Sequence, residues 1–314
     1  MKISVFQKDE GVGIFRMRLN HHCSHSSPFY SRPVCNFEKS FAMSQLRRAS
    51  LILLALCVNS LAVFAQTSTA ERLYVFDCGE ASTIDVSRWS PGVDIGKPMN
   101  FAGQCYLIRH KDGLLLWDTG VPDSLAAKPD GEPPADPRAL HWRRRVTLAQ
   151  QLEQLSVKPA DIRFLAISHA HPDHIGNLSS FPQTMLLVQK AEYDAPSPFA
   201  RFKPEHPVTK LEGDHDVFGD GSVMLLSTPG HTPGHQSLLV RLRQTGAVLL
   251  SGDMVHFRSN WDNRRVPSIN TNGDQTSASM QRIAEILQRE KAQLWINHDK
   301  AQRDMLRLSP QFYE

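Results

Sequence analysis

From residue 70 onward, short apolar runs alternate with stretches that have helical spacing or are rich in turn residues. The spacing of apolar side chains predicts helices over 145–155, 277–288 and 302–308. Apolar runs bounded by turn residues predict strands at 72–77, 104–109, 114–117, 164–167, 185–188, 223–226, 238–242, 248–250 and 294–296. Because strands and helices are interspersed in both halves, we expect an α/β fold in which two sheets pack together with helices outside.

Two connections are distinguished by their turn residues. Asp112-Gly113 lies between two apolar runs and predicts a β-hairpin. Residues 125–140 are rich in Pro, Gly and Asp, and they predict a long loop. Long loops of this kind often serve binding sites, so we place this one over a functional site.

The first 65 residues are predicted to be a targeting segment rather than part of the fold. From Met43 the chain carries a pair of arginines, an apolar run over 51–64 and the ending Val-Phe-Ala before Gln66. This order is typical of a cleaved secretory signal peptide, which it fits better than a buried helix, and it predicts a periplasmic or secreted protein. We therefore expect a signal peptide at 43–65 and a hydrolase domain at 66–314. Residues 1–42 are either an upstream leader or the result of a start site assigned too early.

Composition and charge narrow the class of protein. The 314 residues are 41% hydrophobic and 21% charged, which is ordinary for a globular protein and excludes a collagen-like or disordered chain. No apolar run reaches the roughly 18 residues of a transmembrane helix, so no membrane span is expected. From Gln66 onward 27 basic and 29 acidic residues remain, which argues against nucleic acid as a partner and favours a small molecule. The sequence leaves open whether the chain forms a homodimer.

Two cysteines, Cys78 and Cys105, lie in the expected mature domain. An oxidising compartment permits a disulfide between them. Two reduced cysteines in neighbouring strands fit equally well, because the sequence does not give the Cα spacing that a disulfide requires.

Four side chains that can bind a metal fall within six residues, directly after a predicted buried strand. Residues 169–174 read His-Ala-His-Pro-Asp-His. In extended backbone His169 and His171 point to the same side, and Asp173 and His174 follow at the start of a helix. Packing alone explains such a cluster poorly, so the sequence predicts metal binding here.

Three further candidate ligands follow other predicted strands. His231 lies in the Gly/Pro loop Thr-Pro-Gly-His-Thr-Pro-Gly-His, Asp253 ends the run Val-Leu-Leu-Ser-Gly-Asp, and His298 follows Leu-Trp-Ile-Asn. Side chains that emerge from strand ends can converge on one site. The other histidines lack such a context and are expected on the surface, namely His110, His141, His206 and His215.

Together with Asp118 in Leu-Leu-Leu-Trp-Asp-Thr-Gly, these motifs resemble the metallo-β-lactamase superfamily, and all of them occur in the family's order. The resemblance implies an αββα sandwich of two mixed sheets with outer helices, with a dinuclear metal centre at one edge between the sheets. It implies that Asp253 bridges the two metals alongside a hydroxide. The remaining implied ligands are His169, His171 and His231 for one metal, and Asp173, His174 and His298 for the other.

The resemblance also implies supporting roles for two residues. Asp118 would orient the metal ligands, the alternative being a simple turn at the end of a strand. His235 would be structural, because the family's ligand position aligns with His231.

The ligand types indicate the chemistry. Imidazoles and carboxylates suit zinc, so we expect two Zn²⁺ per chain, with other divalent metals left open. Two metals about 3.5–4 Å apart can clamp a carbonyl or phosphoryl oxygen and supply hydroxide at neutral pH. The sequence therefore predicts a metal-dependent hydrolase of ester bonds that needs no side-chain nucleophile.

Within the superfamily, the acid at Asp253 argues against a true β-lactamase. The strings His-Pro-Asp-His-Ile-Gly-Asn, Thr-Pro-Gly-His-Thr-Pro-Gly-His-Gln-Ser and Ile-Asn-His-Asp are most similar to the quorum-quenching N-acyl-homoserine lactone lactonases. In those enzymes the hydroxide attacks the lactone carbonyl. The alternatives are an organophosphate triesterase or arylesterase, a thioester hydrolase of the glyoxalase type, a mononuclear-iron sulfur dioxygenase, and a metal-binding protein without turnover.

Two residues are candidates for direct roles in catalysis. Asp173 is placed to shuttle a proton, or it serves only as a ligand. His256 stands three residues after Asp253, where lactonases of this type often carry a Tyr that touches the substrate carbonyl. It either donates an equivalent hydrogen bond or is a spectator. An acyl chain would need an apolar wall, although core positions are favoured over pocket positions for the nearby candidates Leu140, Trp142, Met254, Val255, Phe257 and Trp261.

Overall fold

In the computed structural model, which describes residues 68–195, 202 and 206–314, twelve strands form two mixed sheets. The first sheet contains β1 (Arg72–Thr83), β2 (Met99–His110), β3 (Gly113–Trp117), β4 (His141–Arg143), β5 (Ile162–Ala166), β6 (Met185–Gln189) and β7 (Val208–Leu211). Their order across the sheet is β4-β1-β2-β3-β5-β6-β7. Strands β4, β1, β2 and β3 pair antiparallel, whereas β3, β5, β6 and β7 pair parallel.

The second sheet is smaller. It contains β8 (His215–Asp216), β9 (Val223–Ser227), β10 (Gln236–Leu242), β11 (Gly246–Leu250) and β12 (Gln293–Trp295). The order is β12-β11-β10-β9-β8, and all neighbours pair antiparallel except β11 with β12. The parallel pair brings the ends of β11 and β12 to the same edge.

Six α-helices accompany the strands of the described residues. They are α1 (Leu148–Gln154), α2 (Pro172–Ile175), α3 (Lys190–Tyr193), α4 (Arg258–Asp262), α5 (Gly273–Glu290) and α6 (Lys300–Arg303). The starts of α1 and α5 show side-chain capping: the Thr147 hydroxyl accepts from the amide of Gln150 before α1, and the Asn272 side chain accepts from that of Gln275 before α5.

Strand alternation explains the layers. In β1, Leu73 and Val75 belong to the apolar cluster between the two sheets, whereas Tyr74 and Phe76 belong to the cluster that packs under α1. On the outer face of the second sheet, α5 buries Ile283 and its neighbours in a third cluster. Helix, sheet, sheet and helix therefore follow one another, and the predicted αββα sandwich of two mixed sheets is confirmed.

Several predicted boundaries differ from the observed ones. The first two strands are longer than predicted, because β1 and β2 continue as a paired hairpin as far as Thr83 and Met99. The terminal helix predicted over 302–308 is wrong, since α6 occupies Lys300–Arg303. The apolar spacing behind that prediction has another cause: Leu306 and Leu308 pack against the cluster between the sheets without forming a helix.

A disulfide joins Cys78 of β1 to Cys105 of β2, with their Cα atoms 5.7 Å apart. Both residues are fully buried on the outer face of the first sheet. This settles the alternative that the sequence left open. Within the part of the chain described, no helix combines the length and apolar character needed to cross a membrane.

His110, expected on the surface, is buried at the end of β2. Its Nε2 lies 3.0 Å from an Asp220 carboxylate oxygen, and its ring stacks on Phe218 at a centroid distance of 4.0 Å. The expectation failed because the partners come from a loop more than one hundred residues away in sequence. The other three histidines of that group, His141, His206 and His215, are half-buried.

Candidate metal centre

The candidate ligands converge because parallel strands end at one edge of each sheet. In the first sheet Asp118 follows β3 and His169 follows β5, while in the second sheet Asp253 follows β11 and His298 follows β12. His231 lies in the loop after β9. The carboxyl ends of these strands face the same opening between the sheets, which is where the resemblance placed the site.

The first group of ligands is made by three histidines. His169 Nε2 lies 2.9 Å from His171 Nδ1, and His231 Nε2 lies 3.1 Å from the same His171 atom. One Asp253 oxygen, Oδ2, is 3.8 Å from His169 Nε2 and 3.5 Å from His231 Nε2. The ligand atoms of these four residues all lie within 4.8 Å of one another, a spacing that suits one metal ion.

The second group shares Asp253. The other Asp253 oxygen, Oδ1, lies 3.2 Å from His174 Nε2 and 3.0 Å from His298 Nε2. Asp173 Oδ2 completes the group at 3.5 Å from each of those two nitrogens. The Asp253 carboxylate therefore directs one oxygen to each group, as a ligand shared by two metals would.

The buried atoms of this site fit a bound metal. Within the described residues, His174 Nε2 and Asp253 Oδ1 are buried and have no hydrogen-bond partner. A buried polar atom left without a partner costs about 1–3 kcal/mol. A metal ion held by the second group would satisfy both atoms, which are the imidazole and carboxylate donors that zinc prefers.

Electrostatics separate the two groups of histidines. Burial lowers the pKa of His169 and His231 well below the usual value, so these rings are neutral and can offer a lone pair. Burial also acts on His174 and His298, but Asp253 and Asp173 outweigh it and raise the pKa of both. Burial opposes ionisation of Asp253, yet the surrounding imidazoles hold its pKa well below the usual range. The carboxylates thus attract positive charge to the second group.

Asp118 fixes the orientation of the ligands, as the resemblance implied. It adopts a left-handed backbone conformation (φ 57°) at the turn that ends β3. Its Oδ1 accepts the Ser168 amide at 2.6 Å, and its Oδ2 accepts from His174 Nδ1 at 2.9 Å. With Nδ1 so engaged, the tautomer of His174 leaves Nε2 facing the metal group.

His298, a ligand from the second sheet, is oriented in the same way by the first sheet. His298 Nδ1 donates to the carbonyl of Ala102 in β2 at 2.7 Å, which turns Nε2 toward Asp253. His235 plays a structural part: its Nε2 accepts the Asp253 amide at 2.9 Å, and burial lowers its pKa to about 3. It holds the backbone of a ligand rather than facing the opening.

The ligands open onto a cavity of about 340 Å³. His256 lines it and places Nε2 3.3 Å from Asp253 Oδ2. The apolar side chains considered for an acyl wall divide between core and cavity. Met254, Val255 and Trp261 pack in the core beneath α5, whereas the cavity is lined by Trp89, Val121, Leu125, Leu140, Trp142 and Ile269.

Leu140 and Trp142 do both, because they pack against the buried cluster around Phe101 and also line the cavity. The long loop 125–140 does lie at the site, since Leu125 and Leu140 border the cavity. Sequence reasoning missed Arg88 and Trp89, which reach the cavity from the connection between β1 and β2. No motif marks that connection, and only the fold shows that it lies beside the ligands.

The geometry agrees with comparisons to known proteins. The sequence profile of the metallo-β-lactamase superfamily matches residues 99–291. The chain belongs to this superfamily, and its candidate site is the metal centre at the edge of the sandwich.

Similar proteins within the superfamily are lactonases. An N-acyl homoserine lactonase of Bacillus thuringiensis is 31% identical over 256 residues, covering 78% of this chain and 99% of the relative. An N-acyl homoserine lactonase, AttM, of Rhizobium johnstonii is 30% identical over 248 residues, covering 71% and 89%. The resemblance predicted from the sequence motifs is therefore confirmed.

Solved structures give the same result. An N-acyl homoserine lactone hydrolase with N-hexanoyl-L-homoserine bound at its catalytic metal centre has a TM-score of 0.69 and 29% identity, covering 78% of this chain and all of that one. AidC, a dizinc quorum-quenching lactonase, shares the fold at 18% identity and a TM-score of 0.54.

Proposed function

We propose that this protein opens the lactone ring of N-acyl homoserine lactones, using two zinc ions held by the groups that share Asp253. The single observation that carries the proposal is the division of the Asp253 carboxylate, with Oδ2 toward His169 and His231 and Oδ1 toward His174 and His298. Relatives at about 30% identity that are named N-acyl homoserine lactonases support the substrate.

The zinc ions would polarise the lactone carbonyl and lower the pKa of the attacking water. Hydrolysis adds that water across the ring ester, so the carbon–oxygen bond of the ring breaks and the leaving oxygen needs a proton. The Asp173 carboxylate borders the cavity and would carry that proton to the leaving oxygen. Asp118 holds His174 in the orientation that the second group requires.

His256 would help to position the substrate. It lines the cavity beside Asp253, and burial lowers its pKa, which leaves a neutral ring able to donate one hydrogen bond. An N–H donor at this place can meet the carbonyl oxygen of a lactone as negative charge develops on it.

The rest of the cavity suits the acyl chain. Trp89, Leu140, Trp142 and Ile269 give it an apolar lining, and burial of an acyl chain there would contribute about 0.8 kcal/mol per methylene group.

The test is proton release by the zinc-loaded protein on a long-chain N-acyl homoserine lactone, with paraoxon hydrolysis measured beside it. We expect fast ring opening, well above the phosphotriester rate, that stops when a chelator is added and returns with zinc. Zinc-loaded protein that leaves the lactone intact while hydrolysing paraoxon would overturn the lactonase assignment in favour of the triesterase.

We also propose that the protein is exported, with residues 43–65 removed before Gln66. The predicted signal peptide and the upstream residues 1–42 lie outside the described residues. The Cys78–Cys105 disulfide supports the proposal, because structural disulfides persist mainly in oxidising compartments. Mass spectrometry of protein from the periplasmic and cytoplasmic fractions tests it: a mature N-terminus at Gln66 outside the cytoplasm is expected, and an uncleaved cytoplasmic protein contradicts it.

A further inference from the structure

We propose that Glu192 is a positioning residue for the first metal group, which it serves without touching metal or substrate. Glu192 lies in α3, directly after β6, and only 4% of its surface is exposed. It belongs to neither group of candidate ligands. The proposal rests on the two zinc ions proposed above.

The two oxygens of Glu192 hold two different ligand loops. Oε1 accepts the backbone amide of Ala170 at 2.8 Å, and Ala170 lies between the ligands His169 and His171. Oε2 accepts the amide of Gly234 at 3.0 Å, in the tight loop that carries His231. One carboxylate therefore ties together the backbone of all three histidines of the first group.

Gly234 shows how closely that loop is seated on α3. A Cβ at this position would lie 2.2 Å from the Glu192 backbone nitrogen and 2.5 Å from the Glu192 Cβ. The backbone of the His231 loop thus touches the backbone of Glu192 as well as its side chain. Glu192 therefore adds a link between the two ligand loops, which also meet where His231 Nε2 lies 3.1 Å from His171 Nδ1.

The Glu192 carboxylate depends on the ligand loops for its own hydrogen bonds. Across the residues that the structure describes, no Lys, Arg or His nitrogen comes within the 4.0 Å of an ion pair with this carboxylate. A buried carboxylate is costly unless it is paired or hydrogen-bonded. For Glu192 the amides of Ala170 and Gly234 meet this requirement only while both ligand loops keep their places, so metal binding and the ordering of these loops should favour each other.

The test compares Glu192→Gln with Glu290→Gln in the full chain. The Gln keeps the shape of Glu192 but removes the charge and one of the two acceptors. Glu290 is a matched control, because it is partly buried in an ion pair with Arg241 at the end of α5, away from the ligand loops. Stepwise zinc affinity is measured by competition with a chelator, and the melting temperature is measured with and without zinc.

For Glu192→Gln we expect one zinc equivalent to bind about 10–100-fold more weakly, as for other partners of metal ligands. The rise in melting temperature on zinc addition should shrink, while the second equivalent and the Glu290→Gln variant stay close to wild type. In cobalt-loaded Glu192→Gln, the visible absorption bands of one cobalt equivalent should weaken, and those of the other should be unchanged. Wild-type zinc affinity, with melting temperatures lowered equally in both states, would show a merely structural role and overturn the proposal.

A second variant, Glu192→Asp, keeps the charge but is too short to reach both amides, so it tests the bridge if Glu192→Gln fails to fold. It should again weaken one zinc equivalent, and unchanged affinity would contradict the bridge. Neither readout requires a substrate. Failure of the lactonase assay in wild-type protein with two zinc ions therefore overturns the proposed function alone, whereas wild-type zinc affinity in both Glu192 variants overturns this inference alone.

Discussion

Buried histidines lie beside aspartates at both ends of strand β3. The two places differ in whether the side-chain atoms have hydrogen-bond partners. At the start of β3, His110 is fully partnered: Nε2 faces Asp220, and Nδ1 accepts the amide of Asp112 at 3.1 Å. At the other end, His174 Nε2 and Asp253 Oδ1 are equally buried and lie 3.2 Å apart, yet neither atom takes part in a hydrogen bond among the described residues.

The difference shows what distinguishes a metal centre from a structural pair. The histidines are equally buried in both places, since His110 and His174 are less than 5% exposed, whereas Asp220 is partly exposed and Asp253 is buried. What differs is that several buried ligand atoms converge, since the Nε2 atoms of His174 and His298 both face one Asp253 oxygen, at 3.2 and 3.0 Å. Buried, convergent and unsatisfied ligand atoms therefore identify the centre.

The largest expected effect is at Asp253. Asp253→Ala removes the carboxylate shared by both groups, so we expect loss of at least one zinc and a drop in lactone hydrolysis of about 100-fold or more, beyond the range found for outer partners. Zinc content by elemental analysis and ring opening by proton release check this. His110→Ala is the comparison variant and should keep both zinc ions. Equal zinc loss in Asp253→Ala and His110→Ala would contradict the distinction between the metal centre and the structural pair at His110.

Asp118→Asn should have the next largest effect. The Asn amide retains the shape but can present a donor to His174 Nδ1 and to Ser168, which frees the ring that Asp118 now orients. We expect zinc affinity to fall about 10–100-fold. Asp112→Asn, beside His110, is the matched control and should bind zinc as the wild type does. Unchanged affinity in Asp118→Asn would mean that Asp118 merely ends the strand.

The candidate ligands could be located from the sequence because the residues that mark them are close together in the chain. Four ligands fall within residues 169–174, and each remaining ligand directly follows an apolar strand, so strand ends alone place them at one edge. The partners of those ligands were not predictable in this way. Glu192 reaches Ala170 and Gly234 only after α3 packs on both loops, and His110 looked exposed because Asp220 meets it through tertiary folding.

A smaller effect is expected at His256, which lines the cavity but belongs to neither ligand group. His256→Ala should lower kcat about 10-fold, the equivalent of one hydrogen bond of roughly 1.4 kcal/mol, with zinc content unchanged. His256→Tyr, which keeps a donor, should retain most of the activity. Steady-state kinetics and elemental analysis separate these results, and a wild-type kcat in His256→Ala would make the residue a spectator.

The smallest effect is on stability at the opposite end of the molecule. Burial opposes the charge on Asp220, but hydrogen bonds from Ser222 and His110 lower its pKa from 3.8 to about 2. A lowered folded-state pKa contributes stability above pH 3.8 that is lost as the pH falls toward 2. Because Asp220 is partly exposed and solvent screens its interactions, we expect Asp220→Asn to cost on the order of 1 kcal/mol at neutral pH.

Urea unfolding as a function of pH, at fixed zinc concentration, checks this prediction. The difference between wild type and Asp220→Asn should shrink as the pH falls below 3.8 toward about 2, and lactone hydrolysis at neutral pH should be unaffected. Loss of zinc or activity in Asp220→Asn would show that the His110–Asp220 pair is coupled to the metal centre, and it would contradict the distinction between the two places.

The most direct test of the central claim is anomalous X-ray diffraction at the zinc edge from crystals of the zinc-loaded protein. The account predicts two peaks in each chain, one between Asp253 Oδ2 and the first group and one between Asp253 Oδ1 and the second, with no peak beside His110 and Asp220. A single peak, or two peaks that do not share Asp253, would contradict it.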